Sequence, residues 1–402
     1  MRFPKLTELD EDQLAIYEGA PAEGSVLIIG PPGTGKTIIA FHRAGYLKQL
    51  GQDPHVVMFN KVLSHYASAR EGIAADVEVS TMNSWTCKWW SEAAGGRIPV
   101  LATSRWDYDW DAILTRLLPL IGTKRRLESI RWGHLVIDEG QDFQPGMYAA
   151  LNILMTAANA MPGGRPTAVT VLADDNQRLV QGKNSTVDQI RQALTLHESA
   201  RNVFKLKKNY RNTLEIARFA ARFYVGNASG IPELPQKSGT VPTVIVSGLE
   251  DEGRNLNAFA DKIAAYAKLR NEQVGVLVPD NKVRKSMVNR LNAKLGGLVK
   301  VQSYASDDKD ARVEDLVFDE DGHVTVLNFK SAKGLEFDAV FVVDPGKLVS
   351  GSTPADHLKM TLYVMCSRAK TRLNLMLVKD ASLETLLEWI GPAEGMYKLE
   401  ES

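Results

Sequence analysis

The octet Gly30-Pro31-Pro32-Gly33-Thr34-Gly35-Lys36-Thr37 constrains this chain more than any other stretch. It matches G-x-x-x-x-G-K-[ST] without a gap. The apolar run Ser25–Gly30 leads into it, and a helical pattern leads out. Strand, glycine-rich loop and helix in that order belong to an open α/β sheet that binds its ligand beyond the C-terminal strand ends. Glycines let backbone N–H groups wrap phosphate oxygens, and the helix N-terminus adds a favourable dipole. Gly33, Thr34 and Gly35 are therefore expected to cradle a nucleotide. Lys36 is expected to neutralise its β/γ-phosphates, and Thr37 to ligate Mg²⁺.

The rest of the chain repeats the alternation. His55–Phe59, His134–Asp138 and Ala168–Ala173 read as further buried strands with helical patterns between them. A second series starts at Val203–Leu206 and continues through Thr243–Ser247, Gln273–Val278, Val324–Phe329, Ala339–Asp344 and Leu373–Val378. Leu256, Phe259, Ile263 and Tyr266 share one helical face within it. The expectation is α/β, with two domains of parallel sheet, residues 1–200 and 201–402. The Trp-rich stretch 87–132, with Trp89, Trp90, Trp106 and Trp110, is expected to be a small insertion whose indoles pack a core. The acidic segment Ser306–His323 reads as an exposed excursion.

Two strand ends carry acid. Leu135-Val136-Ile137 is followed by Asp138-Glu139-Gly140-Gln141-Asp142. Downstream of the phosphate loop, Asp138 is placed to hold Mg²⁺ and Glu139 to polarise an attacking water. The strand Ala168–Ala173 runs into Asp174-Asp175-Asn176-Gln177, where a polar side chain can sense the γ-phosphate. A capped turn is the alternative for the two aspartates.

Charge narrows the partners. Lys and Arg number 48, Asp and Glu 48, so net charge is zero, and a non-specific phosphate-coating role is disfavoured. A groove with local positive charge remains open. Cys87 and Cys366 are the two cysteines, far apart, which gives no disulfide framework or cysteine zinc site. The N-terminus reads as neither a signal nor a transit peptide, and no apolar run reaches membrane-spanning length. A cytoplasmic location is expected.

Together the motifs resemble superfamily 1 helicases, most closely the UvrD/Rep group, from Leu9 to about Leu377 and in the family's order. Leu9-Asp10-Glu11-Asp12-Gln13 looks like the adenine-reading Q motif, with Gln13 as the amide. Arg43 occupies the position of a second nucleotide contact. Val56-Val57-Met58-Phe59-Asn60-Lys61 and Ser80-Thr81-Met82-Asn83 look like motifs Ia and Ib, which makes Phe59, Asn60, Thr81 and Asn83 nucleic-acid contacts. Asp138–Asp142 resembles motif II, and Asp174–Gln177 resembles motif III, with Gln177 catalytic. Asn209-Tyr210-Arg211-Asn212 resembles motif IV: the tyrosine stacks on adenine and the arginine reaches the γ-phosphate. Ser331–Phe337 resembles motif V, with Glu336 at the nucleotide. Leu362–Ala369 resembles motif VI, with Arg368 a second arginine finger.

The resemblance implies a short form with two RecA-like domains that hydrolyses ATP with Mg²⁺ between them. It also implies translocation on single-stranded DNA, 3′→5′, with RNA an open alternative. Three residues and one six-residue stretch depart from the pattern. Asn83 stands where histidine is common, Asn328 and Lys330 stand for threonine and histidine, and Arg178-Leu179-Val180-Gln181-Gly182-Lys183 lacks the usual aromatics. Base stacking is worth roughly 1–3 kcal/mol per base, so this loss alters the grip on a strand. The alternative function is a nucleic-acid-responsive ATPase switch inside a larger repair or phage-defence assembly, bound to a protein partner and unwinding nothing itself.

Overall fold

The computed structural model describes residues 4–59, 77–178, 184–197, 201–305, 308, 313–317, 321–349 and 353–401, with the side chains of 105, 106, 124 and 314 excepted. The chain divides into two compact units, each treated by itself. One is built from Arg2–Pro31 and Gly35–Lys207, the other from Lys208–Ser402 with Pro32–Thr34.

The first unit holds β1 (Ser25–Ile29), β2 (Pro54–Met58), β3 (Glu78–Thr81), a two-stranded hairpin of β4 (Val100–Leu101) and β5 (Ser104–Tyr108), β6 (His134–Ile137), β7 (Ala168–Ala173) and β8 (Val203–Lys205). Among the described residues, six of these form a parallel sheet in the order β3-β2-β6-β7-β1-β8. Every residue of β1 is buried, because β7 and β8 pair on its two sides and helices cover its faces. Val203–Lys205, which sequence order groups with the second series, thus completes the first sheet. Its three-residue length and mixed burial suit an edge strand.

Trp89, Trp90 and Trp110 of the Trp-rich segment pack inward as expected, while the side chain of Trp106 lies outside the described residues. Trp85, Trp89, Trp90, Trp110 and Trp132 join one core cluster with Leu27, Ile137 and Leu151. Trp85 and Trp89, one turn apart on helix Met82–Ala93, stack with centroids 5.2 Å apart. Buried indoles need acceptors for their N–H groups. Trp89 donates to the Ile130 carbonyl at 2.9 Å, and Trp132 to the Ala168 carbonyl at 3.0 Å.

The second unit holds β9 (Thr243–Ser247), β10 (Val274–Val278), β11 (Lys300–Tyr304), β12 (His323–Asn328), β13 (Phe337–Val343), β14 (Ala369–Val378) and β15 (Lys398–Glu401). Among the described residues they form a parallel seven-stranded sheet in the order β11-β12-β10-β13-β14-β9-β15. Its centre is apolar and buried, and helix Glu252–Leu269 presses Leu256, Phe259 and Ile263 onto it. Gly275, mid-strand in β10, admits the Phe337 ring: a Cβ there would stand 2.6 Å from Phe337 Cγ. β11 and β15 carry no clean apolar alternation, and the sequence reading did not resolve them.

Candidate functional site

The sheet order of the first unit gathers residues that lie far apart in sequence. β6, β7 and β1 are adjacent, and their C-terminal ends deliver Asp138, Asp174 and Gly30 to one edge. Gly33 and Gly35 have φ of 83° and 85°, a region open to glycine at no steric cost. Helix α2 (Lys36–Gln49) starts directly after Gly35. Lys36 is buried, and its Nζ donates to the carbonyls of Gly30 (2.6 Å) and Pro31 (3.2 Å). It lies 3.6 Å from Asp174 Oδ2. Thr37 Oγ1 donates to Asp138 Oδ2 at 2.7 Å, so the two expected Mg²⁺ ligands already touch.

The acid groups carry an electrostatic deficit. Burial pushes the Asp138 carboxyl up to about 6; Glu139 adds to the shift, and Thr37 and Lys36 oppose it. Asp174 is raised as well, first by burial. Two neighbouring buried carboxylates short of positive charge, next to a hydroxyl and a loop of N–H donors, fit a hard divalent cation shared with phosphate oxygens.

Glu139 has φ 53°, uncommon for a side chain with a Cβ. Its carboxylate accepts a 2.5 Å hydrogen bond from Gln141 Nε2. Gln141 Oε1 in turn accepts from the Asp174 backbone N–H at 2.9 Å, and Gln177 Nε2 donates to Asp174 Oδ2 at 2.8 Å. Glu139, Gln141, Asp174 and Gln177 therefore form one buried chain. Sequence reading gave Gln141 no role. Its position two residues after Glu139 was the available signal, since a side chain there returns toward the strand end.

Gln13 sits in helix α1 (Glu11–Gly19). Its backbone N–H donates to Asp10 Oδ1 at 2.8 Å, and its Oε1 accepts from Asp10 N at 3.3 Å, which makes a capping box. Its Nε2 lies against Gly35, where a Cβ would stand 2.7 Å away. Arg43 is placed differently from its expected nucleotide contact. It is fully buried and bonds Thr170 Oγ1 (2.8 Å) and the carbonyls of Ala20 (3.1 Å) and Pro21 (2.5 Å). There it ties the chain leading into β1 to β7.

The nucleic-acid candidates occupy the other half of the same sheet edge. Phe59 follows β2 and is 47% exposed, its ring 5.9 Å from that of Phe143. Thr81 ends β3 and caps helix Met82–Ala93, its hydroxyl accepting from Ser84 N–H at 3.3 Å. Asn83 is exposed in the first turn, and its carbonyl accepts from Tyr108 Oη. Asn60 lies outside the described residues, as do Leu179–Lys183.

In the second unit the candidates meet at the opposite sheet edge, before the strands begin. Glu336 immediately precedes β13 and Arg368 immediately precedes β14, its neighbour. Arg211 Nε donates to Glu336 Oε2 at 2.8 Å. Arg368 is 1% exposed and donates to the carbonyls of Val364 (3.0 Å) and Leu335 (3.3 Å). Tyr210 is 49% exposed. Burial would raise the Glu336 carboxyl, but Arg211 and then Lys370 outweigh it and hold it below the usual carboxylate range.

Comparison with known proteins gives two family matches. Residues 13–183 match the AAA domain model, and residues 323–376 match the UvrD-like helicase C-terminal domain model. A protein of Acanthamoeba polyphaga mimivirus named "Putative ATP-dependent DNA helicase" is 25% identical over 278 residues, 67% of this chain. The matched region is 38% of that relative's length, so the chain spans well under half of it. A solved structure titled as the C-terminal domain of a "possible DNA helicase" from Lactobacillus plantarum WCFS1 shares 23% identity with 48% of this chain and covers 99% of its own, at a TM-score of 0.35.

Proposed function

We propose, on the matches to the AAA domain and UvrD-like helicase C-terminal domain models, that this chain is a UvrD/Rep-like superfamily 1 protein and an ATP-dependent translocase or helicase on single-stranded DNA, moving 3′→5′. The observation that carries the ATPase reading is the cluster Lys36, Thr37, Asp138, Glu139 and Asp174 on three adjacent strand ends. Lys36 holds the β/γ-phosphates, Thr37 and Asp138 hold Mg²⁺, and Glu139 polarises the attacking water. Gln177 senses the γ-phosphate through Asp174. Arg211 and Arg368 stabilise charge on the transferring phosphoryl group. Gln13 and Tyr210 hold the adenine, and Phe59, Thr81 and Asn83 meet the strand. Mg²⁺ supplies charge neutralisation at the phosphate oxygens when bound.

A second reading is favoured by one sequence observation, the lack of aromatics from Arg178 to Lys183. With that stacking platform missing, the ATP cycle serves as a nucleic-acid-gated switch, with a protein partner doing the mechanical work. The deciding experiment measures ATPase rate with and without single-stranded DNA and RNA, beside translocation and strand-displacement assays. Stimulation with translocation supports the motor. Stimulation without either movement supports the switch. No ATPase under any condition overturns both.

A further inference from the structure

Arg211 is held from three directions. Its backbone N–H and that of Asn212 donate to Asn209 Oδ1 at 3.0 and 3.1 Å. Asn212 Nδ2 donates to the carbonyls of Ser367 (3.1 Å) and Ala369 (2.5 Å), which fastens that turn to the start of β14. The side chain is fixed separately. Nε donates to Glu336 at 2.8 Å and Nη1 to the Ser367 carbonyl at 3.4 Å, and both side chains of the ion pair are nearly buried. Glu336 is itself anchored, because the next residue, Phe337, donates its N–H to the Arg368 carbonyl at 3.0 Å. Nε and one Nη1 hydrogen are thus used within the unit, while Nη2 makes no hydrogen bond among the described residues.

We propose that Glu336 is the positioning residue for Arg211: its carboxylate grips Nε and so presents the distal Nη2 donors to an anionic ligand in a fixed direction. Resemblance gives Glu336 a contact with the nucleotide itself; here it acts through the guanidinium. A flexible arginine must be ordered when charge develops on a phosphoryl group, whereas a clamped one is ordered beforehand. Nη2 remains for phosphate because the carboxylate occupies the root of the fork and leaves its tip free. Glu336→Gln keeps the shape but weakens the grip, and Glu336→Asp keeps the charge but loses the reach. The inference rests on Arg211 acting in the proposed ATPase.

The test is a double-mutant cycle on steady-state ATPase of the full chain, stimulated by single-stranded DNA. Glu336→Gln should lower kcat about ten-fold and leave KM for ATP within about two-fold. In the Arg211→Ala background the same change should have no further effect on kcat. Glu336→Asp, which guards against a misfolded Gln variant, should lower kcat less and also be silent in Arg211→Ala. An undiminished kcat loss in the Arg211→Ala background overturns the inference, as does a raised KM with kcat preserved, the sign of direct nucleotide contact. Wild-type protein without ATPase overturns the functional reading and this one with it; additive losses in an active protein overturn this one alone.

Discussion

Glu139 combines a left-handed backbone with a carboxylate that accepts a hydrogen bond from the Gln141 amide. The Asp138-Glu139 turn aims two acids in different directions. Asp138 turns to Thr37, whereas Glu139 turns to Gln141. Their roles in hydrolysis should therefore separate by mutation. Lys36→Ala should abolish turnover and weaken ATP binding, because it removes the cation lining the loop. Glu139→Gln should bind ATP normally and hydrolyse it at least about 100-fold more slowly, since only water activation is lost. Binding of a fluorescent ATP analogue beside phosphate release distinguishes the two. Gln141→Ala removes one hydrogen bond to the Glu139 carboxylate and strips an acceptor from the Asp174 N–H. It should reduce kcat about ten-fold with little change in KM, and wild-type kcat in that variant would remove Gln141 from the site.

At the scale of elements, strand ends decide where polar groups fall, including some away from the phosphate site. Asp344 follows β13 with φ 48°, is 3% exposed, and its Oδ1 has no hydrogen-bond partner. Burial pushes its carboxyl up to about 7; Lys347 opposes the shift, and Asp380, Glu252 and Asp280 add to it. A carboxyl raised on folding favours the native state below its unfolded pKa, near pH 4, and loses that contribution as pH rises through about 7. Asp344→Asn should therefore stabilise the protein at pH 8, by on the order of 1–3 kcal/mol, and by much less at pH 5. Asparagine also tolerates left-handed backbone better, but that gain does not change with pH, so the difference between denaturation curves at the two pH values isolates the charge. An equal gain at both would refute the titration.

The same scale shows what sequence patterns carry. The phosphate loop and the strands β1, β6 and β7 were legible, because buried parallel strands are short β-branched runs and the loop has a fixed spacing. β3 and β11 were not, because at sheet margins their residues alternate weakly and are half exposed. β8 was legible as a strand, but its sheet was not, since nothing in Val203–Lys205 reveals which neighbour it finds. The Arg211–Glu336 pair escaped for a related reason. Each residue was found by its own motif, and the hydrogen bond between them spans 125 positions.

For the molecule as a whole, zero net charge must be reconciled with the proposed binding of a polyanion. Grip then depends on stacking and a few local phosphate contacts. Phe59, exposed at the end of β2, is the proposed stacking residue. Phe59→Ala should cut DNA-stimulated ATPase by about ten-fold, corresponding to roughly 1–3 kcal/mol of stacking, and leave basal ATPase nearly unchanged. Affinity should fall with salt at a log–log slope of about −0.7 per phosphate neutralised, and the total slope should be shallow. Fluorescence anisotropy across a salt series measures it. A steep slope with normal stimulation in Phe59→Ala would move the strand to a more basic surface, such as residues 124–131.

The place of β1 between two strands that follow much later in sequence has a consequence for the ribosome. Ser25–Ile29 emerge well before their ladder partners, Val169–Ala173 and Val203–Lys205. At about 5–20 residues per second, synthesis runs on the order of ten seconds before the first partner exists. Through that interval a largely apolar strand, and the glycine loop it carries, has neither of its ladder partners. The nascent chain is thus exposed to mispairing during this window, and any fragment ending before residue 168 lacks both edges of the strand that sets the phosphate loop.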